Sequence, residues 1–315
     1  MESACDAISL AEIQSARKAA RMSRHDPDLR TILAPNPGPM TGAGTNSYLL
    51  GRGAVVLIDP GPADPAHQAA LLAALDPDER IAAILITHSH LDHTALAPAL
   101  AAATGAPVWG AGPAGSGRTP GMDDWAARGL SGGGEGFDLA YAPDRVLHHG
   151  EVLQFGSLKI EVLATPGHTG CHLSFACSDL LFSGDMVMGW STSLVSPPDG
   201  DMAAYRASLT CLAARYWGLI LPGHGPVIRN PAERLAELAA HRATREAEIL
   251  GALSRHGPAS AETLARLIYT TTPTALLPAA SRNVLAHLIE LTKRNLVTCR
   301  DLPGNYWLFE RIAPD

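Results

Sequence analysis

Apolar residues in this chain gather into short uninterrupted runs, and several of those runs stop at the same kinds of residue. Ile81-Ala82-Ala83-Ile84-Leu85-Ile86 leads directly into Thr87-His88-Ser89-His90-Leu91-Asp92-His93. Leu158-Lys159-Ile160-Glu161-Val162-Leu163 leads into Thr165-Pro166-Gly167-His168-Thr169. Leu180 and Leu181 lead into Phe182-Ser183-Gly184-Asp185, and Trp217-Gly218-Leu219-Ile220 leads into Leu221-Pro222-Gly223-His224-Gly225. Short runs rich in β-branched residues predict strands, with both faces covered where the polar alternation disappears. Tyr48–Leu50 and Ala54–Ile58 predict a hairpin closed by Gly51-Arg52-Gly53. Helices are predicted over 64–75, 94–104 and 201–214; in the last, Met202, Tyr205, Leu209 and Leu212 share one face.

From about residue 230 the pattern changes. Pro231 opens a long helical stretch to about 255, helices follow near 260–269 and 279–294, and two short strands, Leu296–Arg300 and Tyr306–Phe309, close the chain. Three helices and a hairpin form a winged-helix layout. The expected division is therefore 1–229 and 230–315. Residues 1–30 read as a polar lead-in. The stretch 110–136 is rich in Gly, Ser and Pro without apolar periodicity, and reads as a mobile flap beside a substrate cleft or a tolerated insertion.

The residues that end the strands carry the chemistry. Imidazole and carboxylate groups just past the carboxyl ends of strands sit where α/β proteins place their sites. Residues two apart on extended backbone point the same way, so His88 and His90 can reach one point, with Asp92 and His93 aimed at a neighbouring one. Four strand ends together deliver seven metal donors, His88, His90, Asp92, His93, His168, Asp185 and His224. Such groups are costly at the mouth of a buried strand without a partner. Glycine beside a ligand permits close backbone approach. Asp59, which also ends a strand, is a candidate acceptor for a metal-bound imidazole, and equally a turn-forming Asp. Asn46 and the segment Trp190-Ser191-Thr192, close after Asp185, are candidates for the wall of a substrate pocket.

The set His-x-His-x-Asp-His, Pro-Gly-His-Thr, Ser-Gly-Asp and Pro-Gly-His-Gly resembles the metallo-β-lactamase-fold hydrolases. Asn36-Pro37-Gly38-Pro39, Gly44-Thr45-Asn46-Ser47-Tyr48 and the C-terminal layout resemble the branch of β-lactamase-like protein 2, an endoribonuclease in animal mitochondria. The resemblance implies an α/β fold, the αββα sandwich, followed by a winged helix. It implies one metal held by His88, His90 and His168, a second held by Asp92, His93 and His224, and Asp185 bridging them. Asp185 sets the chain apart from the dizinc β-lactamases, which lack a bridging Asp. Bacterial relatives carry His just after the Gly-Asp, where this chain has Met186.

Two divalent cations there lower the pKa of a shared water and stabilise an oxyanion, with Asp92 orienting the water and taking its proton. His-rich donors favour zinc, and the mixed Asp/His set also suits manganese or iron. No G-x-S-x-G and no Cys paired with a base suggests a covalent nucleophile. The expected activity is hydrolysis of a small-molecule ester, thioester or lactone. Single-stranded RNA is the alternative substrate, and a metal-sensing nucleic-acid-binding regulator ranks below both.

Composition narrows this further. The 315 residues are 46% hydrophobic and 17% charged, ample for a core. A net charge of −7 provides no general footprint for nucleic acid. Residues 230–315 carry ten Lys plus Arg against nine Asp plus Glu, a net of +1, low for a DNA-reading wing. Covering the active site or making homodimer contacts suits this unit better, with Arg282, Asn283, Lys293 and Arg294 as the residues for a minority nucleic-acid reading. Five scattered cysteines without CxxC spacing suggest reduced thiols and a cytoplasmic location. No run is apolar and long enough for a membrane span.

Overall fold

The computed structural model describes residues 28–132, 136–304 and 306–313. Strands β1 (Leu29–Leu33), β2 (Asn46–Leu50), β3 (Ala54–Ile58), β4 (Arg80–Leu85), β5 (Val108–Gly110) and β6 (Arg145–Val146) form one sheet in chain order. Strands β7 (Val152–Phe155), β8 (Leu158–Ala164), β9 (Leu173–Cys177), β10 (Leu180–Gly184) and β11 (Leu219–Pro222) form a second, ordered β11-β10-β9-β8-β7.

The sheets face each other through one apolar layer. Tyr48, Leu50, Val56, Ile58 and Leu85 from the first meet Ile160, Val162, Phe175, Phe182 and Leu221 from the second. The opposite face of the first sheet, with Leu49, Leu57, Ile81 and Ile84, packs on Leu71 of helix α1 (Pro65–Ala73) and Leu100 of α3 (Ala97–Thr104). The opposite face of the second, with Leu181 and Ile220, packs on Met202, Tyr205, Leu209 and Leu212 of α5 (Met202–Ala213). The order of layers is helix, sheet, sheet, helix. Both faces of β4 are therefore covered, which is why its sequence lacks alternation.

The predicted 94–104 helix is two pieces: α2 (Leu91–Thr94) carries Asp92 and His93 themselves, and α3 follows. Strands β1 and β9 fall where the sequence reading placed none.

Helix α6 (Pro231–His256) belongs to two cores. Leu235 and Leu238 pack beside α5, whereas Ile249 and Leu253 join α7 (Ala261–Ile268), α8 (Leu277–Lys293), β12 (Val297–Leu302) and β13 (Tyr306–Arg311). These last elements form the winged helix. The described part of the 110–136 stretch is not wholly without regular structure. It holds α4 (Pro120–Ala127), whose Met122 and Trp125 are buried in the winged-helix core beside Phe309. Two anchors on a short helix produce no periodicity, because the partner surface lies far away in sequence.

Cys171, Cys177 and Cys299 are free thiols. Among the described residues no helix is long and apolar enough to cross a membrane.

Candidate metal centre

Beyond β4 the chain stays extended to His90, which precedes α2 at φ −81 and ψ 146. His88 Nε2 lies 2.9 Å from His90 Nδ1, and His168 Nε2, from the loop after β8, lies 3.1 Å from that same nitrogen. The turn of α2 directs Asp92 and His93 to an adjacent point. His224, after β11, meets them there: its Nε2 is 3.3 Å from His93 Nε2 and 3.1 Å from Asp92 Oδ2. Asp185, just past β10, reaches both groups, with Oδ2 3.8 Å from His168 Nε2 and 3.4 Å from His224 Nε2, and Oδ1 3.5 Å from His93 Nε2. Gly223 allows the approach, since a Cβ there would lie 2.5 Å from Asp185 Oδ1 and 2.7 Å from His93 Cε1.

The hydrogen bonds behind these groups settle which ring nitrogens face inward as lone pairs. A carbonyl or carboxylate only accepts, so His168 Nδ1–H donates to Leu194 O at 2.6 Å, His224 Nδ1–H to Gly44 O at 3.1 Å and His93 Nδ1–H to Asp59 Oδ2 at 2.8 Å. Thr87 Oγ1 donates to Asp59 Oδ2, leaving its lone pair for His88 Nδ1–H at 3.0 Å. Asp59 thus holds two imidazoles, one directly and one through Thr87. A Thr87 N–H bond of 2.8 Å fixes the other carboxylate oxygen. The sequence left Asp59 divided between this role and a simple turn. Its φ of 51° is left-handed, and its carboxylate accepts from Thr87 and His93.

Lone pairs left facing one another at these separations repel unless a cation lies between them. Metal–nitrogen bonds of about 2.1 Å in a tetrahedral array set donors about 3.4 Å apart, comparable with the spacings seen. Asp185 Oδ1 is buried without a hydrogen-bond partner. The donor set fits divalent metal: His88, His90 and His168 form one group, Asp92, His93 and His224 another, and Asp185 joins His88 and His93 in a third.

Electrostatics separates the two ends. Burial, then neighbouring imidazoles, holds His88 well below the usual histidine range; burial, then His168, takes His90 down to about 3. Burial lowers His168 also. Burial opposes protonation of His93 and His224, yet nearby carboxylates outweigh it and raise them to about 9 and about 11. Burial would raise Asp92, but His93 and His224 bring it to about 2. Without metal, the second group keeps its positive charge as protons.

Comparison with known proteins agrees with this geometry. Residues 40–224 match the model of the metallo-beta-lactamase superfamily. The chain belongs to the metallo-β-lactamase superfamily. Residues 260–304 match the beta-lactamase associated winged helix domain. A beta-lactamase-like protein 2 homolog of Caenorhabditis elegans is 32% identical over 275 residues, 84% of each chain. A thioesterase of Emericella nidulans is 30% identical over 232 residues, 71% of this chain and 58% of that one. A beta-lactamase domain protein from Burkholderia ambifaria superposes with a TM-score of 0.74 at 23% identity, over 92% of this chain and 93% of that chain, so the whole architecture is shared. This superfamily member is a metal-dependent hydrolase, and its family implies divalent metal ions.

Around the metallo-β-lactamase centre, the wall residues divide. Trp190 is 43% exposed and leans on Gly225, next to His224. Ser191 and Thr192 follow it in the same loop, with Ser191 Oγ 3.4 Å from Thr192 O. Asn46 is buried instead, and its amide nitrogen is spent on Pro222 O and Gly225 O, 3.0 and 2.9 Å away. It shapes the His224 loop. Met186 is buried in the core beneath the second sheet.

The sequence reading missed His172. It is buried and stacked on His88, accepts the Asp185 backbone N–H on Nε2 at 3.2 Å, and pairs through Nδ1 with Thr165. Only a strand-face count around the unpredicted β9 could have signalled it. Of the residues considered for nucleic acid, Asn283, Lys293 and Arg294 bond to Val195, Asp201 and Glu246, and Arg282 bonds to Ser196, Ser131 and Gly132. A separate cluster, Glu246, His287 and Glu290, also gathers metal-type donors, but Arg206 already bonds both carboxylates.

Proposed function

We propose that this chain is a dinuclear zinc hydrolase of esters, with thioesters foremost and lactones included. His88, His90 and His168 hold one ion, Asp92, His93 and His224 the other, and Asp185 joins both. The mixed second set also accommodates manganese or iron. The working unit is 1–229, and 230–315 supports it. The observation that carries the reading is the convergence of seven candidate donors, with the outer Nδ1–H of four of the five imidazoles, His88, His93, His168 and His224, already committed to an acceptor. When bound, such ions supply a water that ionises near neutral pH and positive charge for a developing oxyanion.

The chain's residues do the rest. Asp92, kept ionised and 27% exposed at its side chain, takes the proton of the attacking water. Leu194 O, Gly44 O and Asp59 keep the imidazoles from turning. Trp190, exposed and leaning on Gly225 beside His224, offers an apolar rim for an acyl group. That rim and the charge of −7 favour an acyl substrate over polyanionic RNA, and the fungal thioesterase supports the thioester. The free thiols suit a cytoplasmic setting.

The test is a panel of acyl thioesters, esters, lactones and single-stranded RNA, each run with metal and with chelator. Chelator-sensitive thioester hydrolysis is expected. Cleavage of RNA alone would replace the substrate assignment, and no turnover with any member would remove it.

A further inference from the structure

Resting on the metal-centre reading above, we propose that the C-terminal unit clamps the pocket wall: Arg242 and Asn283 position His168, and Arg234 positions Trp190. The wall is the loop from Met186 to Ser196, which follows Asp185. Its backbone is held at successive points by α6 and α8.

Two brackets are visible. Around Leu194, whose carbonyl accepts from His168 Nδ1, the preceding carbonyl, Ser193 O, accepts from Arg242 Nη2 at 2.5 Å. The following amide, Val195 N–H, donates to Asn283 Oδ1 at 3.0 Å. Both peptide units flanking Leu194 are therefore tied to the C-terminal unit, and this aims the Leu194 carbonyl. Around Trp190, Arg234 donates from Nε to Met188 O at 2.7 Å and from Nη2 to Ser191 O at 2.6 Å. One guanidinium spans the turn that carries the indole. Planar, forked guanidinium donors suit such a grip.

Arg242 supports the reading by where it sits. It is 1% exposed, and no carboxylate among the described residues pairs with it. Its contacts are Ser193 O, Asn283 and the Tyr205 ring, 4.8 Å from the guanidinium carbon. A buried charge without an ion-pair partner costs stability, so a plain packing role would be better served by an apolar side chain. Helix α6 explains the reach, since it runs from the pocket wall into the winged-helix core.

The experiment uses the full chain. Metal content and zinc affinity are measured for wild type, Asn283→Leu and Asn283→Asp, with the electronic spectrum of the cobalt-loaded proteins as a second readout. Asn283→Leu is expected to weaken one of two ions about 10-fold or more and to change the cobalt spectrum. Asn283→Asp keeps an acceptor for Val195 N–H and restores both to within about threefold of wild type.

Wild-type affinity and spectrum in folded Asn283→Leu would overturn the clamp while leaving the metal reading intact. A wild type that takes up no metal would sink the metal reading itself. If Asn283→Leu does not fold, Arg234→Met decides. It is expected to raise KM for an acyl thioester at least threefold with metal content unchanged, and an unchanged KM overturns the proposal.

Discussion

Asp59→Asn tests how one buried carboxylate supports both ends of the centre. Asp59 accepts from Thr87 N–H at 2.8 Å, Thr87 Oγ1–H at 2.7 Å and His93 Nδ1–H at 2.8 Å. An amide cannot serve all three, because one of its two heavy atoms now donates. Thr87 N–H cannot change its polarity, so the amide oxygen stays there. The new N–H groups then face Thr87 Oγ1 and His93 Nδ1. Thr87 must turn its proton toward His88 Nδ1, and His93 must give up its Nδ1 proton. Both rings shift to the tautomer with a proton on Nε2, the atom that faces the other donors.

Losing one buried charge-assisted hydrogen bond costs about 1.5–3 kcal/mol. At about 1.4 kcal/mol per decade, this corresponds to the roughly 10–100-fold loss of metal affinity typical of such outer partners. Because His88 and His93 belong to different donor groups, both zinc dissociation constants should rise. Thr87→Val should raise only the one that depends on His88. The assay is competition against a chromophoric chelator near neutral pH, with circular dichroism confirming the fold. Folded Asp59→Asn with both constants within about threefold of wild type would refute this chain of reasoning.

Further outcomes follow from the same geometry. His88→Ala and Asp185→Ala should lose hydrolysis and bound metal with the fold retained; full activity in metal-free buffer contradicts the mechanism. Gly223→Ala places a Cβ 2.5 Å from Asp185 Oδ1, so metal content should drop with little change in the far-UV spectrum. His93 and His224, raised from 6.5 to about 9 and about 11 by carboxylates that overcome burial, stabilise the metal-free fold fully below pH 6.5. The contribution of His93 is lost as pH rises through about 9 and that of His224 through about 11, so chelator-treated protein should melt at lower temperature at high pH. Near neutral pH, zinc uptake should release about two protons, read from calorimetry in buffers of different ionisation enthalpy; release of none would contradict it. Trp190→Ala should raise KM for an acyl thioester several-fold without altering metal content.

The convergence of the candidate donors was legible because each follows a strand signal, and strand ends converge in an open α/β layer. His88 and His90 could even be paired, since the extended backbone dictates it. The outer partners were less legible. Leu194 O and Gly44 O are backbone atoms that no side-chain pattern marks, and Asp59 gave no sign of its left-handed backbone. His172 was hidden because β9 was not recognised. Asn46 was a candidate for the pocket wall, and its amide nitrogen bonds the His224 loop. Arg242 carried no mark in the sequence, and tertiary packing buries it. Met122 and Trp125 stood in a Gly-rich stretch whose partner lies in the C-terminal unit. Local pattern carries the elements and the inner donors, and contacts distant in sequence decide the rest.

The most direct test of the central claim is elemental analysis of full-length protein saturated with zinc and then desalted. Two zinc ions per chain are expected, with none remaining after chelation and recovery to two on reloading. A folded, monodisperse sample that retains one ion or none under those conditions would contradict a dinuclear centre.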